Sequence, residues 1–251
     1  MPSGPCHPAL CAALVAAGVL GACGGGGSGP VDASADTSID SSPGTCSDVT
    51  FAGEVIDWDA TNAAFCGVFK AALAVRGQPA RTDDTNPNGR FGLCIPQTAE
   101  TLVDVTYSAD ASQCSSQPGT YSGGAVLVAE RAVIDAGAAF SARVMTVARQ
   151  ATMFTQLGHP YNAAQGQLIV HVVGPPHAVT LSTASHDPAQ QFNGAAWEPV
   201  IGSAGPGSDV WFPNIDLAGG PVTATVAAGA TGSVTVTLAP GAFTYVTVVS
   251  G

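Results

Sequence analysis

Positive charge is scarce in this chain of 251 residues: Lys and Arg number 7 against 18 Asp and Glu, and Lys70 is the only lysine. Binding nucleic acid requires clustered Lys/Arg to displace condensed counterions, and a polybasic grip on anionic lipid requires the same clusters. Both are excluded at a net charge of −11. The uncharged run near the start, Ala9 to Leu20, is shorter than the roughly 20 apolar residues of a membrane-spanning helix. Also missing are the G-x-S-x-G elbow, H-E-x-x-H and the phosphate loop G-x-x-x-x-G-K-[ST]. No local motif for nucleophilic or phosphate chemistry remains.

Residues 1–31 contain no Asp, Glu, Lys or Arg. Within them, Ala9 to Leu20 suits the apolar region of a secretory signal. The stretch that follows, Leu20-Gly21-Ala22-Cys23, resembles the bacterial lipobox, which implies that Cys23 is lipidated and becomes the new N-terminus. The leading MPSGPCHP has no Lys or Arg, so its positive charge comes from the α-amino group alone. Gly24 to Thr45 is rich in Gly and Ser and nearly free of large apolar side chains. Such a chain is a flexible coil reaching roughly 25 Å. The expected order is a lipoprotein signal peptide (1–22), then the lipidated cysteine with its tether (23–45). Gly24 replaces the acidic residue associated with inner-membrane retention, which points to the outer membrane or cell surface.

Of the seven cysteines, Cys6 and Cys11 lie in the signal and Cys23 takes lipid. Cys46, Cys66, Cys94 and Cys114 remain, an even set in an exported chain, and are expected to form two disulfides. No pair has the C-x-x-C spacing of a structural zinc site.

The mature region alternates with period two. Val222, Ala224 and Val226 are separated by threonines, as are Val234, Val236 and Leu238, and Phe243 to Val249 continues the pattern between Gly/Pro turns. Earlier strands are expected at Val49–Asp57, Val68–Arg76, Arg90–Cys94, Leu102–Ser108 and Gly124–Ile134. Ser141 to Leu157 instead spaces Val144, Val147, Ala148, Ala151 and Phe154 near a 3.6 period, predicting a helix capped by Ser141 and stopped by Gly158 and Pro160. The halves repeat a plan. FAGEVID, GVFKAALAV, PNGRFGLCIP and VDVTYSA correspond to LIVHVV, HAVTLSTA, PGSDVWFPNI and VTATVAA.

Gly53-Glu54-Val55, Gly67-Val68, Asn88-Gly89-Arg90-Phe91 and Ile95-Pro96 together resemble the carboxypeptidase regulatory-like domain. That resemblance implies an all-β fold of two small transthyretin-like or Ig-like β-sandwich domains, a carbohydrate-binding-like fold. The first spans 46–139, the connecting helix and loop 140–163, and the second sandwich 164–251. If the strands of the first domain alternate up and down, Cys46 meets Cys114 at one end and Cys66 meets Cys94 at the other, the pairing favoured over the two remaining connectivities.

Asp57-Trp58-Asp59 with Asn62, and Trp197, form a candidate carbohydrate contact set of carboxylates and amides beside aromatics. Asp84, Asn86 and Asn88 follow the first half of a calcium loop, D-x-N-x-N-G, but Ile95 stands where the bidentate Glu belongs. His171 and His177, with Tyr161 nearby, resemble the iron ligands of intradiol dioxygenases. The spacing differs and one histidine of that motif is missing. Lys70 could donate to an isopeptide bond, but AVLVAERAVI supplies no Asn, and none is expected.

The reading is a non-catalytic, surface-displayed lipoprotein, a binding or scaffold module for protein or polysaccharide. Its expected partners are the membrane, through the N-terminal lipid, and polysaccharide or another envelope protein, with no nucleic acid and no cofactor. The alternative is a metal-dependent enzyme on an intradiol-dioxygenase-like sandwich.

Overall fold

The computed structural model describes residues 46, 48–61, 65–107, 120–175, 178–182, 185–200, 209–220, 222–226 and 232–249. The first half contains β1 (Val49–Asp57), β2 (Ala71–Val75), β3 (Thr82–Asp84), β4 (Arg90–Ile95), β5 (Glu100–Tyr107) and β6 (Ala125–Glu130). A single helical turn, α1 (Arg131–Asp135), then leads to β7 (Phe140–Val144) and the helix α2 (Val147–Leu157). The second half has β8 (Gly166–Val173), β9 (Val179–Leu181), β10 (Gln190–Phe192), β11 (Trp197–Pro199) and β12 (Asp209–Ile215). It ends with β13 (Val222–Val226), β14 (Ser233–Val236) and β15 (Phe243–Val249).

Strand pairing repeats between the halves. β1 lies antiparallel to β4 and parallel to β7, just as β8 lies antiparallel to β12 and parallel to β15. The antiparallel run β2–β5–β6 has its counterpart in β9–β13–β14. Each half of the chain thus shows the same pattern of strand pairing, and α2 lies between them in sequence. The two are nevertheless fused. β15 pairs in parallel with β6, so that one nine-stranded sheet runs β11-β10-β12-β8-β15-β6-β5-β2-β3. Three-stranded sheets, β4-β1-β7 and β14-β13-β9, complete the fold.

The alternation of side chains assigns these layers. Leu127, Ile169, Trp211 and Tyr245 belong to one core with Phe51, Phe91 and Phe140 of the β4-β1-β7 sheet. Their neighbours Val128, Leu168, Val170, Val210, Phe212, Val246 and Val248 belong to a second core with Val222, Val234 and Val236. The middle of the central sheet is thus covered on both faces. This is why LIVHVV, DVWFPNI and FTYVTVV read as nearly continuous apolar runs.

Two boundaries differ from the sequence reading. The helix begins at Val147, capped by Thr146, whose Oγ1 accepts from the Arg149 amide at 3.2 Å. The residues expected to form its first turn are β7, because Phe140, Ala142 and Val144 alternate inward while the backbone pairs with β1. By its pairing β7 belongs to the β4-β1-β7 sheet. The strand expected over Gly124–Ile134 also stops early, at Glu130, and turns into α1.

Tight backbone crossings fix the first sandwich. Gly89 has φ +74°, and a Cβ there would stand 2.2 Å from the Val55 carbonyl oxygen. A Cβ on Gly67 would meet the Asn88 backbone at 2.1 Å. The G-x-V and N-G elements of the sequence are therefore a mutual packing requirement between three segments.

Candidate functional site

One row of the central sheet carries polar groups where its neighbours are apolar. In register across four strands stand Phe192, Asp209, His171 and Thr247. The His171 ring Nδ1 lies 2.8 Å from an Asp209 carboxylate oxygen. From β7, the Arg143 guanidinium reaches over. Its Nε donates to the other Asp209 oxygen, its Nη1 donates to the Ala60 carbonyl at 2.6 Å, and its carbon sits 3.9 Å above the Phe192 ring. Asp209 is 1% exposed. Glu54 adds negative potential from β1.

Electrostatics in this cluster are mutually supporting. Burial alone would push the His171 pKa down, but the charge of Asp209 and the hydrogen bond to it outweigh burial and raise it, with Arg143 opposing and Glu54 assisting. Burial likewise opposes ionisation of Asp209, yet His171 and Arg143 hold its pKa below the ordinary carboxylate range. A buried carboxylate held by an arginine from β7 and a histidine from β8 is a polar clamp linking the β4-β1-β7 sheet to the central one. The Thr247 hydroxyl, the next group in the row, is buried without a hydrogen-bond partner among the described residues. Burial also pushes the Tyr245 phenol well above its usual range, with Tyr107 and Asp209 adding to the effect.

Beside the clamp, three tryptophans meet. Trp58 and Trp197 are stacked with centroids 4.0 Å apart, Trp211 stands edge-on to Trp58 at 5.4 Å, and the Trp197 indole N–H donates to the Trp58 carbonyl at 3.1 Å. The structure thus brings together two of the residues read as sugar contacts, but as internal packing. Trp58 is 0% exposed, so its ring offers no face to a sugar. Asp57 is buried and accepts from the Tyr121 hydroxyl at 3.3 Å, and Asp59 pairs with Arg149 at 2.8 Å. Asn62 lies outside the described residues.

Asp84, Asn86 and Asn88 make a turn. The Asn86 side-chain oxygen accepts from the amides of Asn88 at 2.9 Å and Arg90 at 3.0 Å, which uses the oxygen a cation would need. Asn88 is exposed and Asp84 lies on β3. Of the residues compared with an iron set, His171 is held by Asp209, the Tyr161 hydroxyl donates to the Gly241 carbonyl at 2.9 Å, and His177 lies outside the described residues. Among the described residues no three His, Cys, Asp or Glu side chains converge as a metal site.

The disulfide pairing differs from the one expected. Cys46 is bonded to Cys94, with Cα atoms 5.7 Å apart. The reason is register: β1 and β4 are adjacent and antiparallel, pairing Thr50 with Cys94, so the chain entering β1 passes the end of β4. Cys66 is also disulfide-bonded, while Cys114 and Cys23 lie outside the described residues.

Sequence reasoning placed His171 in a strand but missed its partners. The signal available was polarity out of place: a histidine within LIVHVV and an aspartate heading DVWFPNI.

The chain matches no protein-family model, and no curated protein is matched by its sequence. Among solved structures it is similar to the shaft pilin SpaA from Lactobacillus rhamnosus GG at 10% identity and TM-score 0.25, covering 81% of this chain and 98% of that one. It is similar as well to GBS52, the minor pilin of Streptococcus agalactiae, at 9% identity and TM-score 0.23, covering 80% and 96%. The Bacillus anthracis TIE protein gives 12% identity and TM-score 0.24, with 79% of this chain and 34% of that chain covered. The likeness is too distant to fix topology or role.

Proposed function

We infer that this protein is a lipid-anchored, non-catalytic scaffold or binding module displayed on the bacterial envelope. The observation that carries this reading is the use of its reactive side chains. Arg143, Asp209 and His171 are spent on one another at the junction of two sheets, and Asp57, Asp59 and Arg149 on neighbouring protein groups. Such an arrangement holds layers together, and these groups are engaged with protein partners rather than turned toward a substrate. The Cys46–Cys94 bridge supports residence outside the cytosol, and Cys23 followed by the glycine-rich tether supplies the anchor. The partner is another envelope protein or a polysaccharide, met by the exposed surface.

Cells expressing the chain and fed an alkyne-tagged fatty acid test the anchor. The expected result is a labelled, membrane-associated protein that becomes unlabelled and soluble on Cys23→Ala. Equal labelling of the variant would sink the lipoprotein assignment. Elemental mass spectrometry of protein purified without chelator tests the non-catalytic assignment, which one bound iron or zinc per chain would overturn.

A further inference from the structure

The internal joint between the two halves predicts a joint between molecules. Where the sandwiches meet, the edge strand β15 of the second half pairs in parallel with the edge strand β6 of the first, over the four residue pairs from Phe243↔Ala125 to Val246↔Val128. The repeat makes β7 the counterpart of β15, and β14 the counterpart of β6. Among the described residues β7 pairs only with β1, and β14 only with β13. Among the described residues, each half thus leaves unpaired the strand edge that its counterpart uses to bind the other half.

A second observation concerns the edge strand β14. Exposed edges are normally protected by charge, proline or side-chain caps. Those caps are present elsewhere in this protein. On β4, the Gly92 amide donates to Asp83 at 2.7 Å, and Arg81 donates to the Cys94 carbonyl at 3.4 Å. Strand β3 carries Asp83 and Asp84, and β11 carries Glu198 and Pro199. In contrast, no Asp, Glu, Lys or Arg occurs from Leu217 to Gly251. β14 reads Ser-Val-Thr-Val, with Val234 and Val236 buried and Ser233 and Thr235 exposed. It is as long as the β15–β6 joint and has no charged residue to block an incoming strand.

We propose that β14 of one molecule accepts β7 of a second copy in parallel, extending the β14-β13-β9 sheet head to tail. The contact is heterologous, so it builds open chains rather than a closed dimer. It is also weak. The outer face of β15 carries Phe243 and Tyr245 into the protein core, whereas the corresponding face of β7 carries Ser141 and Arg143. Main-chain pairing supplies the attraction between copies, as in other strand additions, and confinement on a membrane would raise the local concentration. The proposal does not depend on the lipid anchor.

Sedimentation velocity on the exported chain carrying Cys23→Ser, so that no lipid drives association, tests it from micromolar to millimolar concentration. The expected result is a series that grows beyond the dimer, shifted at least tenfold upward in concentration by Thr235→Lys. Thr180→Lys, on the opposite edge of the same sheet, should leave the series in place. A thermal melt of each variant separates loss of pairing from loss of folding. Should Thr235→Lys fail to fold, a Thr235→Cys/Ser141→Cys protein is to form intermolecular disulfide ladders under oxidation. A monomer at every concentration, a closed dimer, or association abolished by Thr180→Lys alone would overturn the proposal.

Discussion

The indole of Trp58 lies flat on that of Trp197, 8° from parallel, although the two residues come from opposite halves of the chain. Trp58 is fully buried and also meets Trp211 edge-on. Trp58→Ala should therefore cost about 3–5 kcal/mol of stability, and Trp197→Ala, removing a partly exposed ring, noticeably less. Urea unfolding followed by far-UV circular dichroism measures both. An equal loss for the two would show that the stack is not the anchoring contact.

Arg143 should be worth more than its surface suggests. Removing it leaves the carboxylate of Asp209 buried with only His171 for compensation, and Arg143→Ala is expected to cost about 3–5 kcal/mol. Asp209→Asn in the same background should recover part of that loss, since it removes the stranded charge. A double-mutant cycle reads the coupling, and strictly additive losses would refute a shared clamp.

Stability should fall between mildly acidic and mildly alkaline pH. Glu130 stands directly across the β5–β6 pair from Glu100, and burial, reinforced by that like charge, pushes its carboxyl up to about 7. A carboxyl whose folded pKa exceeds its unfolded value, 4.5, contributes fully below that value and loses the contribution as pH rises through 7. His171, also raised, adds a loss in the same direction above its unfolded 6.5, whereas Asp209 loses its contribution only as pH falls below 3.8. Urea midpoints at pH 5 and pH 8 should differ in the native protein and differ less in Glu130→Gln. Because Glu130 is only half-buried, added salt should shrink the difference. An unchanged slope in Glu130→Gln would count against this assignment.

Two glycines of nearly equal φ separate strain from collision. Gly77, at +76°, has nothing within 4 Å of an added Cβ, so Gly77→Ala should cost about 1–2 kcal/mol of backbone strain. Gly89→Ala adds a clash with the Val55 carbonyl that no side-chain movement relieves, and the protein should fail to fold or melt far lower. Similar melting temperatures for the two variants would contradict the crossing.

Much of the β architecture could be read from the residues. Val49–Asp57 was delimited in full, and the four paired segments of the two halves correspond to β1/β8, β2/β9, β4/β12 and β5/β13. What escaped was pairing between residues far apart in the chain. Over the five residues Phe140 to Val144, period two and period 3.6 cannot be distinguished, so a strand was absorbed into the helix that follows it. An up-and-down order places Cys46 and Cys94 at different ends, whereas neighbouring antiparallel β1 and β4 bring them together. Trp58 and Trp197 were read as separate exposed contacts, and their stacking on one another depends on the second half folding over the first. Local sequence does not carry that information.

The strand that fuses the two halves, β15, follows every one of its sheet neighbours in the chain. Until it arrives, β6 and β8 face each other across a gap one strand wide, each with an unfilled row of amides and carbonyls. Completion of the central sheet is thus a late event during synthesis, since it waits for Phe243 to Val249. Nascent chains held short of Phe243 should remain soft to protease, with the two half-sheets acquiring resistance together rather than one after the other.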